Sequence, residues 1–495
     1  MIKNQRKKGM ILSYLNILLG TLINIISVPM FLNYININEY GLYQIMGSLI
    51  AYFVILDFGL PATVVYFYSK YSSENNNGQK EIFLSICSKI YIFITFMIFL
   101  VGLILYFKLN FIYKNYEIQE LNNLKNMYLI LLINVIITLP FQIFNAIITA
   151  HEKFVFLKSL SIFINVFQAI SIFLFINKFP FAITIVTVQT FFNIITSFFR
   201  AFYCIKFLKI KISFSHFNKE LFLKIVKYSS VIFLNVIVEQ FFWRSNFIIL
   251  SILNNSVSAA AYSIVFQITY NYMILSTAIT GVFLPKVIDL VTKKNEKKLS
   301  NLFIEVGKLE SLILGLVLTG FILFGKEFIS IWSLKEPGFE NSYIMTLLIL
   351  IPLSIDLIQG LGQTILQAVN KFYFRVILFL FIDFINIFLS ILLIKKYGEI
   401  ACSAVSGTTL IISNIVLNIY YQKNLKLDIK DFWLKILKNL FFALISFTIG
   451  IFINLINANL IIKIMLYFVV YTIIMYVCVI KKNSLFSNNN KKILR

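Results

Sequence analysis

Fourteen apolar runs, each long enough to cross about 30 Å of hydrocarbon, divide this chain almost from end to end. Their approximate limits are 11–33, 41–64, 82–107, 127–150, 157–178, 181–204, 227–253, 257–284, 302–325, 342–364, 373–394, 398–421, 436–456 and 460–480. In lipid such a run can only be a helix, because each backbone N–H and C=O must find its partner within the segment. The expected fold is therefore an all-α polytopic membrane protein with about 14 transmembrane helices. Composition agrees: with 59% hydrophobic and 13% charged residues over 495 positions, a soluble protein could not hide its apolar surface. The first run follows the basic KNQRKK, exceeds a signal-peptide h-region and has no small-x-small cleavage site, so it reads as the first span.

A formal charge of +23 would suggest nucleic acid in a soluble chain. Here Lys and Arg lie between the apolar runs, so membrane topology accounts for them and no nucleic-acid partner is expected. With the N-terminus in the cytoplasm, 34 Lys and Arg fall on that side, helix-end residues included, and 9 outside; of the 44, only Arg244 is left over. That bias predicts an even number of spans and two cytoplasmic termini. Every loop is about 25 residues or shorter, which leaves no room for a soluble domain.

An internal repeat is also present. IITAHEKF at 147–154 aligns with ILQAVNKF at 365–372, and LNIL at 15–18 with LNVI at 234–237; Tyr43 and Ile45 match Tyr262 and Ile264. The nearly constant offset pairs spans 1–6 with spans 7–12. Six is even, so the halves are expected to be parallel repeats about an axis along the membrane normal. The expected organisation is an N-lobe at 1–205, a basic cytoplasmic linker at 206–226, a C-lobe at 227–423, and an appended helix pair with a tail at 424–495. Two such lobes would enclose a midplane cavity and rock against one another.

Polar residues within the spans are the candidate site. In VEQFFWRSNFIIL, 238–250, a helical period puts Asn235, Glu239, Gln240, Trp243, Arg244 and Asn246 on one half of the circumference; Ile237, Val238, Phe241, Phe242 and Ile248 take the other. Glu239 and Arg244 are five apart, which is poor geometry for an intrahelical pair. A mid-membrane Arg costs about 2.5–3.5 kcal/mol on insertion scales, so it marks function, an interhelical ion pair or snorkelling. Asp356, Gln359 and Gln363 form an i, i+3, i+7 stripe after Pro352; Gln267 and Asn271 form an i, i+4 pair. Both sets suit either cavity lining or helix-to-helix hydrogen bonding. Asp57 precedes a Gly/Pro break and suits a hinge or a helix cap. The cavity residues expected are thus Arg244, Glu239, Gln240, Gln267, Asp356, Gln359, Gln363 and Asp57.

Other features have plainer readings. Lys308 is expected to pair with Glu305 three residues away, and Lys89 to anchor span 3 at the interface. GFILFGKE, 320–327, imitates a phosphate loop, but Glu follows its Lys and the stretch is an apolar helix, so it is no nucleotide site. Without an ATPase domain, transport would be driven by an ion gradient or by removal of the substrate. Cys87, Cys204, Cys402 and Cys478 are scattered singly like small hydrophobes, and His151 and His216 have no metal-ligand spacing around them. No catalytic, cofactor or metal residue is expected. ENNNG at 74–78 and SNNNKK at 487–492 read as loop and tail.

NEYGLYQIMGSLIAYFVILDFGLPATVVYFYSKY at 38–71 resembles the start of the bacterial oligosaccharide-lipid flippases, the polysaccharide-exporter branch of the multidrug/oligosaccharidyl-lipid/polysaccharide exporter superfamily. FLNVIVEQFFWRSNFIIL (233–250), STAITGVFLPKV (276–287), ILQAVNKFYFR (365–375) and NIYYQKNLKLDIKDFW (418–433) extend the resemblance over nearly the whole chain. It implies two six-helix lobes plus two helices in the bacterial cytoplasmic (inner) membrane. The implied cargo is a polyprenyl-diphosphate-linked oligosaccharide repeat unit for surface polysaccharide such as the O-antigen of lipopolysaccharide. Membrane lipid, a coupling H+ or Na+ and other polysaccharide-assembly membrane proteins are the implied partners. Arg for the diphosphate and amide or carboxylate groups for sugar hydroxyls would suit that cargo. The rivals are a cation-coupled multidrug or metabolite antiporter of the same fold, and a membrane glycosyltransferase or polysaccharide polymerase. The latter is disfavoured by short outer loops and the lack of a DxD motif.

Overall fold

Asparagine and aspartate side chains mark where four of the long apolar helices begin. Asn76 Oδ1 accepts from Gln79 N at 3.0 Å, Asn218 from Leu221 N at 2.9 Å, Asn295 from Lys298 N at 3.1 Å and Asp428 from Asp431 N at 2.9 Å. Each satisfies a first-turn donor that lacks a helical partner. The computed structural model describes residues 2–55, 57–74, 76–210, 217–369 and 371–477. Asn75, His216, Cys478, the SNNNKK stretch and the end of the last apolar run lie outside them.

The described chain is helical. Its elements are α1 (Ile2–Tyr34), α2 (Ile37–Ile55), α3 (Leu60–Ser73), α4 (Asn77–Ile112), α5 (Ile118–Thr138), α6 (Gln142–Ala150), α7 (Phe154–Lys178), α8 (Ala182–Lys206) and α9 (Lys219–Leu253). There follow α10 (Ser256–Thr280), α11 (Leu284–Thr292), α12 (Glu296–Trp332), α13 (Ser342–Ile358), α14 (Leu361–Ala368), α15 (Phe372–Tyr397), α16 (Ile400–Asn424), α17 (Ile429–Asn454) and α18 (Leu460–Met475). Among the described residues ten helices are long and apolar enough to cross a membrane, and the bent pairs α10–α11 and α13–α14 raise this to twelve. The broken pair α2–α3 and the short α18 complete fourteen spans. This is a multi-pass membrane protein, with large apolar side chains such as Phe93, Phe107, Phe384 and Phe452 on its outside.

Among the described residues eighteen helices make fourteen spans because four spans are broken. Span 2 breaks at Asp57, Phe58 and Gly59, where φ is 55° at Phe58 and 64° at Gly59 and where Asp57 Oδ1 accepts from Gly59 N at 2.8 Å. Span 4 breaks around Pro140, between α5 and α6. Span 8 passes through a 3-10 turn at Gly281–Phe283 before α11 starts at Leu284, with Pro285 in its first turn. Span 10 bends by 48° between α13 and α14. Counted from the N-terminus, the second, fourth, eighth and tenth spans are thus the broken ones.

Helix contacts divide the chain into two units, Met1–Ser263 and Ile264–Arg495. In the first, α1 packs on α7, α5 on α2 and α8, α3 on α6, and α9 on α2. In the second, α13 packs on α16, α15 on α16, α11 on α14, and α12 on α13 and α17. The last helix is hooked to α12: Tyr467 OH donates to Thr319 Oγ1 at 2.6 Å and Tyr471 OH to Leu312 O at 2.9 Å.

Pro352 inside α13 has no N–H, so the carbonyl of Leu348 one turn earlier lacks its helical donor. Gly407 of α16 lies against that carbonyl, and a Cβ there would sit 2.1 Å from the oxygen. Gly407→Ala is therefore expected to push α16 from α13 at a cost of about 1–3 kcal/mol, seen as a lower unfolding temperature of the purified protein. An unchanged temperature would mean that the two helices are not locked at this point.

Candidate functional site

Charged side chains buried among transmembrane helices are costly, so they are the first places to look for a site. In the second unit Asp356 of α13 is 7% exposed. Arg375 Nη2 of α15 stands 3.6 Å from its Oδ2, and Gln363 Nε2 of α14 donates to the same oxygen at 3.4 Å. At 3.6 Å the ion pair is looser than a hydrogen bond. The guanidinium carbon lies 4.4 Å from the ring centre of Phe379, and Arg375 Nε has no hydrogen-bond partner among the described residues. The cluster is thus a buried carboxylate held by an arginine with donor capacity to spare.

A second carboxylate lies close by. Glu310 of α12 is fully buried; Ser276 Oγ of α10 stands 2.8 Å from its Oε2 and 3.3 Å from Leu357 O. Oε1 of Glu310 has no partner among the described residues. Asp383 of α15 is 4% exposed with both carboxyl oxygens unpartnered among those residues. Tyr272 OH meets Ser354 Oγ at 2.7 Å and Leu314 O at 3.2 Å, which ties α10, α13 and α12 together.

The stripe on span 10 is only half kept. Asp356 and Gln363 meet, but Gln359 is 1% exposed and its Nε2 donates instead to Asn414 Oδ1 of α16 at 2.7 Å. The reason is the break between Ile358 and Leu361, which ends the helical phase that i, i+3, i+7 spacing presumes. Asn414 Nδ2 reaches Pro352 O at 3.5 Å, so Gln359 belongs to a helix-to-helix link. Asn271 Nδ2 donates to the backbone oxygen of Gln267 at 2.8 Å, and the Gln267 side chain is half-buried.

In the first unit Glu239 of α9 is exposed, while Gln240 and Arg244 are half-buried. Gln240 Oε1 is a buried acceptor with no partner among the described residues. The Arg244 guanidinium carbon lies 6.0 Å from the ring centre of Phe247. Asn246, expected on the same face, is instead fully buried and donates to Tyr262 OH at 2.9 Å. Its helical angle was legible, but the arrival of Tyr262 from the next helix was not. Asp57 Oδ1 accepts from Gly59 N at 2.8 Å, closing the turn that precedes α3. Lys308 donates to Glu305 at 2.7 Å as its spacing predicts, and Lys89 lies 5.7 Å from the ring centre of Phe217.

Sequence reasoning missed Glu310, Arg375 and Asp383. Arg375 stands three residues into α15 and counts as a helix-end charge in the loop tally. Glu310 follows the Glu305–Lys308 pair and disappears behind it. The available signal was a carboxylate within each apolar run with no basic residue three or four positions away.

A family model described as "Polysaccharide biosynthesis protein" matches residues 7–291, more than half of the chain. No curated protein matches the sequence. Among solved structures, one described as the lipid II flippase MurJ in an inward closed conformation is similar, with a TM-score of 0.72 and 17% identity over 95% of this chain and 98% of that one. An inward-facing multidrug resistance MATE family transporter of the MOP superfamily gives a TM-score of 0.60 and 12% identity over 83% and 99%. A MOP superfamily transporter from Pyrococcus furiosus gives 0.57 and 14% over 86% and 94%. At such identities the likeness is one of fold.

Proposed function

Because the chain belongs to the polysaccharide biosynthesis protein family, we propose that it is a flippase carrying polyprenyl-diphosphate-linked oligosaccharide repeat units from the cytoplasmic to the outer leaflet of the bacterial cytoplasmic membrane. The family match is the observation that carries this reading. The cargo's diphosphate and sugars cannot cross hydrocarbon unaided, while its tail cannot leave it. An arginine beside the path supplies what the diphosphate loses with water, since its planar fork matches phosphate oxygens. Arg244 in the first unit and Arg375 in the second each take that role here. Gln240, whose Oε1 has no partner among the described residues, and Gln363 are suited to sugar hydroxyls.

The lobes at 1–205 and 227–423, the linker between them, the appended pair and the cytoplasmic placement of both termini are kept as parts of this proposal, as is alternating access coupled to H+ or Na+. The cargo is moved and not chemically altered. Deleting the gene in its host is expected to abolish surface polysaccharide while complete lipid-linked repeat units accumulate facing the cytoplasm. Normal surface polysaccharide together with altered drug sensitivity would instead establish the antiporter, which the multidrug transporters of the same fold make the second reading.

A further inference from the structure

Helix α8 ends at Lys206, and Arg200 lies about 9 Å before that end along the axis. Arg200 is half-buried, and it makes no ion pair and donates no hydrogen bond to any described residue. Its Nε is sealed without a partner, whereas its two terminal nitrogens keep accessible surface. At the period of an α-helix, Gln189, Asn193, Thr196 and Arg200 fall within about 60° of the circumference. Phe191, Phe198, Phe202 and Ile205, each more than half exposed, lie on the opposite side, where hydrocarbon meets the helix. The polar stripe therefore faces away from the lipid tails. Asn193 is exposed on it, and Gln189 Nε2 donates to Tyr43 OH of α2 at 2.8 Å. An exposed amide within a span needs water or a polar ligand beside it. Snorkelling does not account for Arg200, because a snorkelling stem runs along the apolar side and this one starts from the other.

We propose that Arg200 is a binding contact for the diphosphate of the lipid-linked cargo, in addition to Arg244 and Arg375. The inference rests on the cargo class proposed above and names a further residue that meets it. A half-buried guanidinium is costly without an anion, and no described carboxylate comes within ion-pair reach of this one. The missing counter-charge selects an anionic ligand. Its planar fork fits two phosphate oxygens together, and none of its donors is committed to the protein beforehand. Arg375 differs, since Asp356 already holds part of its charge. Polar side chains continue from Arg200 along the same face for about 16 Å, to Gln189. A small free anion has no use for that length, whereas a phosphate joined to sugars has.

The test uses the purified full chain in phosphatidylcholine vesicles and phenylglyoxal, which modifies accessible guanidinium groups, with mass spectrometry reading the Arg200 peptide. Arg200 is expected to react, and a bare polyprenyl diphosphate at about ten times its Kd should slow that reaction about tenfold. The same amount of phosphatidylglycerol should not. Arg200→Gln should weaken binding of the polyprenyl diphosphate about tenfold or more. Its unfolding temperature should not fall, because the substitution leaves no buried partner behind; the labelling of the unmodified chain stands even if the variant does not fold. An Arg200 that resists phenylglyoxal, or that reacts at the same rate with and without the diphosphate, would overturn the proposal. So would equal protection by phosphatidylglycerol, which would mark a bulk-headgroup contact, or a lowered unfolding temperature in the variant, which would mark a structural role. If the unmodified chain binds no polyprenyl diphosphate, the proposed cargo fails as well. If it binds and Arg200→Gln binds equally, this inference fails alone.

Discussion

Arg375→Ala is expected to lower the stability of the protein by about 3–5 kcal/mol, because it leaves the Asp356 carboxylate buried with no counter-charge. Both side chains are close to fully buried, at 11% and 9% exposure, so solvent screening does little to soften the loss. After the substitution the amide of Gln363, at 3.4 Å, would be the one side-chain hydrogen-bond donor left to the carboxylate among the described residues. The measurement is denaturant or thermal unfolding of the purified protein in detergent. The double variant Asp356→Asn with Arg375→Gln removes both charges and should recover most of the loss, the remainder being the contact over Phe379. Transport then divides two roles. If Arg375 only holds Asp356, the double variant regains surface polysaccharide along with stability. If Arg375 also meets the cargo's phosphate, stability returns and polysaccharide does not. A single variant as stable as the unmodified protein would mean that Asp356 does not depend on this arginine.

The parts of this architecture that were legible in the sequence are those set by one segment at a time. Fourteen apolar runs could be read because spanning hydrocarbon is a matter of length and composition. The Glu305–Lys308 pair could be read because i, i+3 neighbours are fixed by helix geometry alone. The break around Pro140 was not foreseen: transmembrane helices accommodate Pro when neighbours re-satisfy the backbone, so a Pro in an apolar run does not announce where a span divides. Asp57 was read as a hinge or a cap with equal reason. In this structure its Oδ1 accepts from Gly59 N, which closes the turn at the break ahead of α3. The buried cluster was the least legible part, since Asp356, Gln363 and Arg375 come from three helices, and Glu310 meets Ser276 across 34 positions. A tally that assigns each charge to the nearest loop cannot see a partner brought by tertiary packing.

Arg244→Ala tests the proposed function at its most exposed point. Loss of one charge-assisted hydrogen bond to a phosphate, at about 1.5–3 kcal/mol, corresponds to roughly a ten- to hundredfold drop in transport. Surface polysaccharide should therefore fall to near absence at undiminished protein abundance. The second condition decides the matter. Arg244 is half-buried beside Phe247, on the helix that packs against α2, so a purely structural role would lower abundance and polysaccharide together. Arg244→Lys refines the distinction: it keeps the charge and loses the planar fork, so an intermediate defect points to bidentate phosphate contact and full activity to charge alone. Glu239 lies five residues earlier and is exposed, a placement open to protons or cations from water. Glu239→Gln should leave abundance and cargo binding in place and alter the dependence of transport on the proton or sodium gradient. If that dependence is unchanged while Arg244→Ala still abolishes transport, the arginine acts on the cargo and the coupling carboxylate lies elsewhere, with Glu310 and Asp383 the buried carboxyl groups to substitute next.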